Sequence, residues 1–80
     1  MPRQGPRKEK FLPAKIDDRR DWVWVRGAAE GNEYAQARLA DLLGWDGDND
    51  QLAKVRESGD DYAIVDIEID GSVLASYKVK

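Results

Sequence analysis

The chain contains no cysteine and no histidine. Without cysteine no disulfide can staple the fold, and neither a thiolate nucleophile nor a zinc–sulfur centre can form. Without histidine the chain lacks the commonest general base, the commonest transition-metal ligand and the side chain that changes charge near neutral pH. Long apolar runs are missing as well. Nothing approaches the roughly 18–20 residues of a membrane span, and no hydrophobic core follows the N-terminal charges as a signal peptide requires. These absences point to a soluble, cytoplasmic protein. A chain of 80 residues buries only about 60–65% of its unfolded surface, which gives a thin core and no enclosed substrate cavity. No glycine-rich phosphate loop is present either. Neither an enzyme nor a cofactor, metal or small-molecule substrate is expected.

What the chain does have is charge, unevenly distributed. The first 26 residues carry Arg3, Arg7, Lys8, Lys10, Lys15, Arg19, Arg20 and Arg26 against Glu9, Asp17, Asp18 and Asp21. Further on stand Asp41, Asp46, Asp48, Asp50, Glu57, Asp60, Asp61, Asp66, Glu68 and Asp70, with only Lys54 and Arg56 among them. Residues 1–10, with Pro2, Gly5 and Pro6 among charges, cannot bury enough surface to offset their ordering entropy and read as a disordered basic arm. Residues 11–80 read as one α+β domain, with Phe11, Leu12 and Ile16 folding back onto it.

Residues 17–30 are ambiguous. Trp22-Val23-Trp24-Val25 alternates with period two, as a strand would. Yet Trp22, Val25 and Ala29 also share a helical face, Asp17 or Asp18 suits an N-cap, and Gly31 suits a helix end, while Gly27 inside the helix costs it about 1 kcal/mol. From Asn32 the pattern is unambiguous. Asn32 is an N-cap, Glu33 sits in the first turn, and Ala35, Leu39 and Leu42, with Leu43 beside them, form an apolar stripe. Gly44 then occupies the left-handed C-cap position with Trp45 folding back in a Schellman ending.

The run Trp24-x3-Ala28-Ala29-Glu30-Gly31-Asn32-x2-Ala35-Gln36-x2-Leu39-Ala40 resembles part of a Sel1-type helical repeat. The pattern occurs once, whereas solenoids need about three copies. The resemblance therefore implies only a local helix–Gly–helix corner, which tips residues 18–30 towards helix. Asp50 is then expected to cap a third short helix over 51–58, with Leu52 and Val55 inward and Gly59 ending it.

The C-terminal part reads as a hairpin. Ala63, Val65, Ile67 and Ile69 alternate with Asp66, Glu68 and Asp70, and Val73, Ala75, Tyr77 and Val79 repeat the alternation after Gly71. A two-residue Asp70-Gly71 loop sets Ile67 opposite Leu74 and mismatches the apolar faces. A three-residue loop with Gly71 left-handed pairs Ile67 with Val73 and Val65 with Ala75, so face matching favours it.

Asp46, Asp48 and Asp50 match positions 1, 3 and 5 of an EF-hand calcium loop, with Glu57 at position 12. Gln51 stands where the sharp turn needs Gly, and Ala53 where a pairing apolar residue belongs, so a solvated capping turn is the better reading. The expected element order, helix–helix–helix–hairpin, is that of a winged helix, and Leu39-Ala40-x2-Leu43-Gly44 resembles the first helix and turn of helix-turn-helix regulators. This alternative, a DNA-binding transcriptional regulator, would use Gln51, Lys54 and Arg56 with Arg3, Arg7 and Lys8 of the arm. The acids at Asp46, Asp48, Asp50, Glu68 and Asp70 oppose it, because they fall where phosphates would lie. They favour instead a small acidic protein-binding module. Its face of Asp46, Asp48, Asp50, Asp66, Glu68 and Asp70, with Trp45 as anchor, would imitate a phosphate row and dock on a basic surface of a nucleic-acid-binding partner. By class analogy, small acidic inhibitors encoded by phages, anti-CRISPR proteins among them, have this character.

Overall fold

Both ends of the helical corner close on glycine. In the computed structural model, which describes residues 11–80, α1 (Trp22–Ala29) ends in a Schellman motif. Gly31 has a φ of 90°, its N–H donates to Ala28 O, and the Asn32 N–H donates to Gly27 O. The side chain of Asn32 accepts from the Ala35 N–H at 3.0 Å and starts α2 (Glu33–Leu42). Helix α2 ends in the same way, with Gly44 at φ 92° and the Trp45 N–H on Ala40 O. The ambiguity over residues 17–30 resolves to helix, preceded by a 3-10 turn (Arg19–Asp21) that Asp18 caps. Gly27 has a packing reason: a Cβ there would stand 2.8 Å from that of Ala35, so glycine lets α1 and α2 approach closely.

The helices cover one face of a four-stranded mixed sheet in the order β1-β4-β3-β2. Strand β1 (Leu12–Ala14) runs parallel to β4 (Ser72–Val79), and β3 (Ala63–Ile69) lies antiparallel to both β4 and β2 (Leu52–Ser58). The core is made largely of small and branched side chains: Val25 and Ala28 from α1, Ala35, Leu39 and Ala40 from α2, and Ala53, Ala63, Val65, Ile67 and Val79 from the strands. The apolar stripe of α2 is rotated from the expected one. Gln36 and Ala40 are buried and Leu42 is exposed, because Gln36 turns inward and donates to the C-terminal carbonyl of Ala28. In α1, Ala28 rather than Ala29 is buried.

Residues 52–58 form a strand where a third helix was expected. Asp50 is left-handed, with φ 68°, so it ends the 3-10 turn Gly47–Asn49 instead of capping a helix. Leu52 and Val55 suit a helical face, but Ala53 and Val55 suit a strand equally well. In so short a segment pairing with β3 overrides propensity. The winged-helix order falls with that helix.

The hairpin is present, but its turn is tighter than expected. Ile69 pairs with Ser72 around a two-residue Asp70-Gly71 turn, with φ of 51° and 81°. Leu74 is an extra residue in β4, and this bulge restores face matching by setting Ile67 opposite Ala75 and Val65 opposite Tyr77. The disordered arm expected over residues 1–10, including Arg3, Arg7 and Lys8, lies outside the described residues. Among the described residues no helix is long and apolar enough to cross a membrane.

Candidate functional site: the acidic end of the sheet

The turn from Trp45 to Gln51 is fastened from several sides. Asp46 caps it, accepting from the Asp48 N–H at 3.1 Å and from the Asn49 side-chain amide. Its own N–H donates to the Gln51 side chain at 2.9 Å. Gly47 is buried on α2, its N–H donating to the Asp41 carboxylate at 2.9 Å, and any side chain there would run into the Ala37 backbone. The half-buried indole of Trp45 donates to the Tyr77 hydroxyl at 2.9 Å, which ties the turn to β4. Asp46, Asp48 and Asp50 thus stand exposed on a rigid frame.

Register brings Asp70 to the same end. Leu52 pairs with Glu68 and Ala53 with Ile67, so the start of β2 lies level with the end of β3 and the exposed Asp70 turn. None of Asp46, Asp48, Asp50 and Asp70 forms an ion pair among the described residues.

The two other acids of the expected face behave differently. Asp66 and Glu68 project from the open side of the sheet, where cations meet them. Arg56, the extra residue of a bulge in β2, grips Asp66 through two nitrogens at 3.1 and 2.8 Å, and Ser76 donates to the same carboxylate at 2.7 Å. Lys54 lies 3.9 Å from Glu68. Asp66 and Glu68 are therefore partly buried and met by cations, whereas Asp46, Asp48, Asp50 and Asp70 stand exposed at the sheet end. Gln51, Lys54 and Arg56 share no helix: Gln51 binds the turn backbone, and the two cations belong to the open sheet face. Glu57 is remote from the aspartates of the turn, pairing with Ile64 and accepting from the Tyr62 hydroxyl at 2.6 Å. That carboxylate raises the Tyr62 pKa above the usual phenol value, first through the hydrogen bond and then through its charge.

On the open face Arg56 also stacks over Phe11 and Lys78 lies over Tyr62, with Ile64 buried beneath them. At the other end of the sheet a cleft of about 600 Å³ is lined by Arg19, Trp22, Arg26, Asp60, Asp61 and Lys80, so it mixes both signs of charge. At the opposite end Asp46, Asp48, Asp50 and Asp70 are exposed, and the nearest ion pair beside the turn is that of Arg38 with Asp41, the carboxylate that accepts from Gly47. No protein-family model matches the chain, and neither curated proteins nor solved structures give a match.

Proposed function

We propose that the protein is a non-enzymatic binding module, an inhibitor or adaptor whose acidic sheet end docks on a basic surface of a nucleic-acid-binding partner in place of phosphates. The observation that carries this reading is the set of four exposed carboxylates, Asp46, Asp48, Asp50 and Asp70, held on two anchored turns and forming no ion pair among the described residues. Pre-fixed charges lose little freedom on docking, and a single-sign patch steers a basic partner over long range. Trp45 lies beneath these charges as a half-buried anchor on the same turn.

The test uses isosteric neutralisation, since Asn keeps both the Asp46 cap and the left-handed backbone at Asp50 and Asp70. The immobilised wild type should capture basic nucleic-acid-binding proteins and release them to duplex DNA. The variant combining Asp46→Asn, Asp48→Asn, Asp50→Asn and Asp70→Asn should capture none of them. Equal capture by both proteins refutes the reading.

A further inference from the structure

At the end of the sheet away from Asp70, three cations from separate segments converge on one indole. Arg19 of the 3-10 turn, then Trp22 and Arg26 of α1, line the cleft of about 600 Å³ from the helical layer. Lys80, just beyond β4, and the loop after β2 with Asp60 and Asp61 line it from the sheet. The frame is fastened. The half-buried Trp22 indole donates to Ile16 O at 3.2 Å, the Ile16 N–H to Lys80 O at 2.8 Å, and the Lys80 N–H to Ala14 O at 3.1 Å. The loop is closed by the Gly59 N–H on Tyr62 O at 2.9 Å.

The charges on this frame are uncommitted. Among the described residues Arg19, Arg26 and Lys80 form no ion pair, and neither do Asp60 and Asp61, although all five line one space. The cations of the open sheet face differ: Arg56 is gripped by Asp66 and stacks over Phe11, and Lys78 lies over Tyr62. A volume of about 600 Å³ falls within the range of small-ligand sites. The charged lining suits a polar ligand rather than an apolar one.

We propose that this cleft binds a nucleotide, its phosphates on Arg19, Arg26 and Lys80, its base against Trp22 and its ribose hydroxyls on Asp60 and Asp61. Guanidinium groups take phosphate oxygens through paired N–H donors. An indole held by its N–H offers its face for stacking with a base. A carboxylate accepts from ribose hydroxyls and repels phosphate, so the two acids orient the ligand as well as hold it. A plain anion would leave Asp60 and Asp61 opposed to it. The cleft and the acidic end lie at opposite ends of the sheet, so this binding stands or falls separately from the docking reading above.

Titration of the full chain with adenosine diphosphate, inorganic pyrophosphate and adenosine, followed by NMR, tests the proposal. The diphosphate should shift the Trp22 indole N–H and the Arg19 and Arg26 Nε–H signals together, saturating below about 1 mM. Pyrophosphate and adenosine, each lacking part of the contacts, should bind at least about tenfold more weakly. Arg19 and Arg26 are exposed, so the double variant Arg19→Gln, Arg26→Gln should keep its melting temperature and lose about tenfold or more in affinity for the diphosphate. The double variant Asp60→Ala, Asp61→Ala should no longer distinguish the diphosphate from its analogue lacking both ribose hydroxyls. The four-Asn variant of the acidic end should bind the diphosphate as the wild type does.

Pyrophosphate binding as tight as that of adenosine diphosphate would overturn the nucleotide reading and leave a site for plain anions. Unchanged affinity in the arginine double variant would overturn the placement of the phosphates. No saturable shift up to about 10 mM diphosphate overturns the proposal outright.

Discussion

Tyr77 and Tyr62 do different work on opposite faces of the sheet. The Tyr77 hydroxyl accepts from the Trp45 indole across thirty-two residues of chain, so Tyr77→Phe leaves a half-buried N–H without its partner. A loss of about 1 kcal/mol is expected, read as a melting temperature lower by about 4–8 °C. The altered Trp45 environment should also appear in the fluorescence spectrum.

Tyr62 is a titration marker. Its hydrogen bond to Glu57, and that residue's negative charge, favour the neutral phenol. The folded pKa therefore lies above the unfolded value of about 10. The stabilisation is complete below that value and is lost as pH rises through the folded pKa. Absorbance titration should show late ionisation at Tyr62, which Tyr62→Phe removes and Glu57→Gln shifts towards the ordinary value. Asp18 is the opposite case. The Arg20 guanidinium and backbone N–H hold its carboxyl below the usual range, so its contribution is present above the unfolded value and fades as pH falls through the folded one.

Among the elements, the α1–α2 corner depends on one close approach. Replacing Gly27 by alanine gains up to about 1 kcal/mol of helix propensity, but the added methyl meets Ala35 at 2.8 Å. Overpacking of this kind costs about 1–3 kcal/mol, so a net loss of stability is expected in denaturant melts. In the Arg56–Asp66–Ser76 cluster, Asp66→Asn should cost about 1 kcal/mol, since Arg56 is partly solvent-exposed. It should leave partner capture unchanged. If Asp66→Asn abolished capture without lowering stability, Asp66 would belong to the docking surface after all.

The helical corner was legible because Asn32, Gly31 and Gly44 act through local backbone chemistry that any fold preserves. The hairpin was legible from its alternation. Its bulge was not, since the placing of Leu74 depends on which faces are buried. β2 was misread because Leu52-Ala53-Lys54-Val55 fits both periods, and only the long-range pairing of Val55 with Val65 decides between them. The acids of the proposed site could be named from the sequence. The pairing of Asp66 with Arg56 could not, because Arg56 reaches it only across paired strands.

At the scale of the molecule, charge is partitioned by architecture. Helices cover one face of the sheet, the other face balances Lys54, Arg56 and Lys78 against Asp66, Glu68 and Glu57, and the far cleft mixes signs. At one end Asp46, Asp48, Asp50 and Asp70 stand exposed without an ion pair among the described residues. A phosphate-mimicking surface should lose affinity as salt screens it and competing ions take its place. The measurement that bears most directly on this is the affinity for a captured basic partner as a function of salt, for the wild type and the four-Asn variant. The expected result is a steep fall in affinity with rising salt for the wild type and a much shallower dependence for the variant. Parallel slopes at unchanged affinity would contradict a docking role for the acidic end.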